Sequence, residues 1–337
     1  MLCIIADDLT GAFDAAAPFA GRGLQTMVAL RPEDLPAALA SGAGVVAVST
    51  RSREIPAAEA VARMVQVAAF LPPAAQVFKK VDSRLKGHVA AELAALSPDA
   101  LLVAPAIPDF GRVVAGGAVV GFGVDTPIPV AAVLGDLAVR AIVPDTATPE
   151  EMDAALAAAP AGALLVGARG LAEALARAMT GQAAALAPRP AAGRALMVVG
   201  SRDPITVAQV QALRAKGADW RGAPNGMLAD RRPCAALTLV QALPGEVVTT
   251  GEAVSAALAE GVHPALTEGA EALFLTGGAT AEAVTDAMAL GPVRLVGEVL
   301  PGVPQAMAGD RAVIVKSGGF GGDDTLTRLA AILSGEE

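Results

Sequence analysis

The sequence predicts an α/β protein of two domains, each with a mostly parallel sheet flanked by helices, and puts its candidate site in the cleft between them. Three observations support this. At 337 residues the chain is long for one compact domain and suits two, each large enough to bury a core. Short apolar runs alternate with Ala-rich helical stretches, a β-α-β rhythm that implies parallel strands. The rhythm stops once, at 181–194, where "GQAAALAPRPAAGR" gathers Pro and Gly without periodicity and reads as a linker. Domains of 1–185 and 194–337 follow.

The first strand is Leu2 to Ala6, an apolar run suited to burial on both faces, and a helix is expected from Ala12 to Ala20 after a Thr-Gly turn. Asp7 and Asp8 then fall in a strand-to-helix loop, on the sheet edge where open α/β folds bind ligands. A helix cap would account for one of these carboxylates, but two adjacent like charges need a further reason. Strands follow at "TMVAL", "GVVAVST", "QVFKKV", "ALLVAPA" and "ALLVGA", with helices at "PAAEAVARMVQVAAF" and "LAEALARAMTG". Beyond the linker the strands are "ALMVVGS", "EALFLTGG", "VRLVGEVL" and "AVIVKSGG", each bearing Gly or Ser at or near its end.

Composition excludes several classes. Apolar residues make up 54% of the chain, yet their runs are broken within about ten residues, short of the roughly 20 that span a bilayer. The start lacks a basic region followed by a cleavable apolar segment, so a cytoplasmic protein is expected. A net charge of −9, with no basic run interleaved with aromatics, argues against nucleic acid. Cys3 and Cys234 form neither a metal pair nor a disulfide framework, and His88 and His263 are too few for a histidine metal site. Any metal would be held by oxygen.

Two groups of loops carry candidate chemistry. In the second half, "VVGSRDPIT", "LTGGATAEAV" and "VKSGGFGGDD" are glycine-bearing strand ends that run into helices. Backbone amides there, with the positive helix end, form an anion site, and three together suggest a polyphosphate. None is a Gly-x-x-x-x-Gly-Lys-Ser/Thr loop, and the dinucleotide fingerprint is incomplete, which speaks against a nicotinamide-dependent oxidoreductase. In the first half, "STRSREIP", "KKVDSRLKGH" and "PAIPDFGR" mix acids with cations. Arg51, Arg53, Lys80, Arg84, Lys86 and Arg112, all at predicted strand ends, would suit a small anion such as a hydroxy acid, with Asp8 and Asp82 accepting from its hydroxyls. Arg51 and Arg112 are expected at neighbouring strand ends. Mutual pairing on a solvated rim is the alternative for Arg53 and Lys79. A sugar-acid binding protein without catalysis would leave the glycine loops unexplained.

At these residues the chain resembles the four-carbon acid sugar kinases. "IADDLTGAFD", "KKVDSRLKGH", "PAIPDFGR", "LTGGATAEAV", "GEVLPGVPQA" and "KSGGFGGDD" match that family's motifs in order, over nearly the whole chain. It departs from the family at Arg202 and Asp203, at Ala279, and at Lys86 and His88. The resemblance implies an ATP-dependent kinase, with Mg²⁺, acting on a hydroxyl of a tetronate such as threonate, erythronate or an oxo-tetronate. It implies catalytic roles for Asp8, Asp7 and Asp82, and acid binding by Arg51, Lys80, Ser83, Lys86 and Arg112. Nucleotide binding falls to Ser201, Gly277, Gly278, Ala279, Thr280, Gly318 and Gly319. The expected partners are the acid and ATP, without membrane or nucleic acid, and a homo-oligomer is left open.

Overall fold

The computed structural model describes residues 1–190 and 193–336. They form two compact units, Met1–Ala185 and Leu186–Glu337. The break falls inside the Pro- and Gly-rich stretch expected as a linker, of which Ala191 and Ala192 lie outside the described residues. The start of that stretch is fastened to the first unit, because Arg22 donates to the carbonyls of Gln182 (2.9 Å) and Ala183 (3.0 Å).

The first unit opens with β1 (Leu2–Ala6), α1 (Leu9–Ala20), β2 (Thr26–Ala29), α2 (Leu35–Ala40) and β3 (Val45–Ser49). It continues through α3 (Ala57–Phe70), β4 (Gln76–Lys80), α4 (Val89–Ala95) and β5 (Leu101–Ala104). An antiparallel excursion follows, β6 (Arg112–Ala115), β7 (Ala118–Gly121) and β8 (Ile128–Pro129). Then come α5 (Val130–Leu134), β9 (Ala141–Ile142), α6 (Pro149–Ala157), β10 (Leu164–Gly167) and α7 (Arg169–Thr180). The parallel sheet runs β2-β3-β1-β4-β10-β5-β9. Every residue of β1 and β3 is buried, as expected of strands covered on both faces. Ile5, Val46 and Val48 pack with Leu35, Met64 and Val67 of α2 and α3 in one core cluster.

In the second unit the order is β11 (Ala195–Val199), α8 (Pro204–Ala215), β12 (Asp219–Pro224), β13 (Leu237–Leu243), α9 (Gly251–Val262) and β14 (Ala272–Thr276). It ends with α10 (Gly278–Ala287), β15 (Val293–Leu300), β16 (Val303–Ala308), β17 (Arg311–Lys316) and α11 (Thr325–Ser334). Here β12-β13-β11-β14-β17 are parallel, and β16 and β15 continue antiparallel. Met197, Val199, Phe274 and Ile314 meet Val210, Leu213, Leu326 and Leu329 of α8 and α11 in its core. Among the described residues no helix is long and apolar enough to cross a membrane.

Two local expectations are corrected. The first helix starts at Leu9, so Thr10 and Gly11 lie within its first turn. The cause is Asp8, which accepts the Gly11 N–H at 2.8 Å and caps the helix three residues earlier than periodicity suggests. Arg51 and Arg112 do not follow neighbouring strands: β1, β4 and β10 stand between β3 and β5, and Arg112 begins the antiparallel excursion.

Candidate functional site

In the first unit the residues after β1, β3 and β4 meet on the carboxyl edge of the sheet. Asp7 and Asp8 are both buried, and one guanidinium reconciles their charges. Arg53 donates Nε and Nη2 to the two oxygens of Asp7 (2.8 and 2.7 Å) and Nη1 to Asp8 Oδ2 (2.8 Å). A planar fork of donors can span two carboxylates in this way. The backbone of the same loop is laced to β1, with Ser52 and Arg53 N–H groups donating to the Asp7 carbonyl (2.8 and 3.2 Å). Arg53 and Lys79 are therefore paired, but within the protein rather than on a solvated rim.

Asp8 accepts from the Thr10 hydroxyl (2.7 Å) as well as from Gly11 N–H and Arg53. A Cβ on Gly11 would stand 2.5 Å from Asp8 Oδ1 and 3.4 Å from Lys80 Nζ, so this glycine makes room for a carboxylate and an ammonium at the helix start. The alternation of a strand separates the two lysines of β4. Lys80 Nζ donates to the Val81 carbonyl (3.0 Å) and lies 4.0 Å from Asp14 of α1. Lys79 Nζ is buried 2.9 Å from Glu92 of α4, which also accepts from the Ser52 hydroxyl.

Asp14 is a candidate site residue that the sequence did not mark. It is fully buried, its Oδ1 has no hydrogen-bond partner among the described residues, and Arg169 Nε lies 3.8 Å away. Burial raises its carboxyl above the ordinary range, with Lys80 and Arg169 opposing. Burial also pushes Asp7 upward, but Arg53, supported by Lys79 and Lys80, outweighs it and leaves the carboxyl below its ordinary 3.8. A carboxyl depressed by folding adds stability above its ordinary value, and loses it as pH falls through the folded value. The stability advantage of the wild-type protein over Asp7→Asn in urea titrations should therefore be full at neutral pH and shrink below pH about 4. An advantage independent of pH would show that Asp7 is not held by charge.

The loop after β4 binds its own acid. Asp82 Oδ1 accepts from the N–H groups of Arg84 (2.8 Å) and Lys86 (3.4 Å), and Lys86 is exposed. The Ser83 hydroxyl accepts from Arg112 Nη1 at 2.5 Å, while Arg112 Nε donates to the Phe122 carbonyl at 2.9 Å. Arg84 Nε is buried and has no acceptor among the described residues. Arg51 turns elsewhere, its Nε donating to the Leu30 carbonyl after β2 (3.0 Å). The structure thus brings together Asp7, Asp8 and Lys80, and separately Ser83 and Arg112.

In the second unit the three glycine loops leave β11, β14 and β17, which are adjacent in the sheet. They converge on Ser201. A Cβ on Gly318 would collide with the Ser201 hydroxyl, and one on Gly277 would stand 3.2 Å from the Ser201 nitrogen. Gly277 has φ +99°, a conformation that suits glycine, and no side chain caps the helix α10 that begins at Gly278. An open cavity of about 240 Å³ is lined by Arg202, Thr249 and Ser255 with Gly277 to Thr280. Thr280 is buried, its hydroxyl 3.2 Å from that of Ser255. Asp203 caps α8 through Ile205 N–H (3.0 Å) and faces Gly318 and Gly319. Lys316, the last residue of β17, lies wholly inside beneath the third loop; burial pulls its ammonium down to about 8, with Asp203 opposing.

The first unit is an open α/β sheet with carboxylates and cations at its carboxyl edge, and the strands of the second run through glycine-bearing turns into helices, the architecture of an α/β protein with loop-borne polar sites. The family model described as a sugar-binding N-terminal domain matches residues 2–132, and that described as a nucleotide-binding C-terminal domain matches 227–326. The chain is similar to a D-threonate kinase of Cupriavidus necator, 34% identical over 96% of this chain and 95% of that one. It is also similar to a D-threonate kinase of Bordetella bronchiseptica (31%, 97% and 96%) and to a 3-oxo-tetronate kinase of Methylobacterium radiotolerans (28%, 98% and 98%). Solved structures of a Salmonella typhimurium LT2 protein (TM-score 0.73, 21% identity, 97% and 98% covered) and a Haemophilus influenzae protein (0.69, 20%, 98% and 100%) share the fold. The chain belongs to the four-carbon acid sugar kinase family.

Proposed function

We propose that this protein is an ATP-dependent kinase that phosphorylates a hydroxyl of a tetronate such as threonate, erythronate or a 3-oxo-tetronate, in cytoplasmic carbohydrate metabolism. The first unit holds the acid and the second the nucleotide. The observation that carries this reading is the near-full-length similarity to kinases named for four-carbon acids. The three glycine loops meeting at Ser201 support it.

Phosphoryl transfer asks for positioning and charge neutralisation more than for covalent chemistry. Asp8, fixed by Gly11 and Arg53, orients the attacking hydroxyl and takes its proton, while Asp7 anchors Arg53 and so the loop. Asp82 shapes the loop that presents Ser83, and Lys80, Arg112 and the unspent Arg84 Nε meet the carboxylate of the acid. Arg51, turned to the Leu30 carbonyl, and Lys86, exposed, stand outside this group and could join it only by moving. Gly277 to Thr280, Gly318 and Gly319 give backbone amides to the phosphates. Among the described residues no cluster of three metal-ligating side chains exists. Mg²⁺ would come with the nucleotide and keep mostly phosphate and water ligands; Asp203, against Gly318 and Gly319, would be the carboxylate to meet it.

A coupled ADP-release assay over a panel of four-carbon acids tests the reading, and ATP binding without turnover of any acid would defeat it. Within that assay, Arg112→Ala should raise KM for the acid by about 30-fold or more with kcat changed less, because loss of one partner of a buried charge pair costs roughly 2 to 5 kcal/mol. An unchanged KM would free Arg112 from substrate binding and leave it the tie to Ser83 and Phe122.

A further inference from the structure

Lys316 has no place in the chemistry above, yet it is fully buried and its ammonium is held from four directions. Its ammonium donates to Thr206 Oγ1 (3.0 Å) and to the carbonyls of Ser317 (3.0 Å) and Phe320 (3.1 Å), with the Gly318 carbonyl at 3.4 Å. Helix α8 reinforces the same grip: Thr206 donates to the Gly318 carbonyl (2.7 Å) and Gln209 to those of Phe320 (3.1 Å) and Gly322 (2.8 Å). The carbonyls of Ser317, Gly318 and Phe320 are thus drawn to the ammonium.

The peptides of this turn are trans. In a trans peptide the carbonyl of one residue and the N–H of the next point in opposite directions. With the carbonyls of Ser317, Gly318 and Phe320 aimed at the ammonium, the N–H groups of Gly318, Gly319 and Gly321 point away from it. None of the three has an acceptor among the described residues. Successive unspent amides of this kind form an anion-binding concavity.

We infer that Lys316 is a positioning residue for polyphosphate: by pinning the carbonyls of Ser317, Gly318 and Phe320, it presents the amides of Gly318, Gly319 and Gly321 together to the nucleotide's phosphates. The inference rests on the reading of the second unit as the nucleotide-binding half. A neutral side chain would leave three aligned carbonyls facing an apolar tip, and the turn would relax by rotating peptides, which scatters the amides. The lysine itself touches no substrate.

The test compares wild type, Lys316→Met and Lys316→Arg by calorimetry with Mg-ADP and with inorganic tripolyphosphate, and by steady-state kinetics. Lys316→Met should weaken both ligands by about 10-fold or more, the scale of one charge-assisted contact. It should raise KM for ATP and leave KM for the acid unchanged, and Lys316→Arg should recover part of the loss. If Lys316→Met does not fold, Thr206→Val, which keeps the ammonium but removes the hydroxyl linking it to Gly318, should weaken the same two ligands. Wild-type affinity for Mg-ADP in the variant that folds overturns the inference, as does an equal rise of both KM values. A wild-type protein that binds no Mg-ADP overturns the nucleotide reading with it.

Discussion

Asp8→Asn should lower kcat by about 10² to 10⁴, the usual range for loss of a general base, while ATP binding survives. The substitution keeps size and one carbonyl oxygen, so the Gly11 N–H can still be capped. It replaces the other oxygen by an amide that meets the Arg53 Nη1 and the Thr10 hydroxyl. The hydroxyl can turn to accept, but the guanidinium cannot. A stability loss of roughly 1 to 3 kcal/mol is therefore expected, far from unfolding a protein of this size. If Asp8 were only a cap and an ion-pair partner, turnover below the melting temperature would stay normal. Measuring kcat and Tm on one preparation separates the two, and wild-type turnover would pass the catalytic role to Asp82 or Asp7.

The largest stability effect is expected at Lys79. Lys79→Met should cost about 3 to 5 kcal/mol in urea unfolding, because it leaves the Glu92 carboxylate buried without its cation. Glu92 would retain only the Ser52 hydroxyl, and Ser52 belongs to the loop that carries Arg53. Restoring an apolar environment with Lys79→Met/Glu92→Leu should recover most of the loss, since replacing both members of a buried pair is often close to neutral. A single variant as stable as wild type would mean that water reaches Glu92.

The sequence revealed the loops because their signals are local. An apolar run followed by two acids locates the end of β1, and a strand that runs into a pair of glycines, directly or after one serine, locates Gly277 and Gly318. Partners far along the chain left no such mark. Arg53 answers the charges of Asp7 and Asp8 from 46 and 45 residues away, through the β3–β1 pairing that only the fold supplies. Asp14 lay hidden inside "GAFDAAAPFA", where one acid in a helix reads as its solvent face; every residue from Leu9 to Phe19 is instead buried. Lys79 and Lys80 read as one basic step, although strand alternation sends them to different acids. The antiparallel strands β6 to β8 escaped because each is only two to four residues long. β12 escaped because "DWRGAP" carries no apolar alternation.

The environment of Lys316 has one further consequence. An ammonium surrounded by Thr206 Oγ1 and the carbonyls of Ser317, Gly318 and Phe320 is the arrangement by which proteins hold potassium, with the ion tethered to the chain. Enzymes that borrow a monovalent ion for this purpose must hold it at equilibrium with their medium. Here the cation comes with the polypeptide and cannot exchange, so the turn after β17 should keep its form whether the surrounding salt is sodium or potassium.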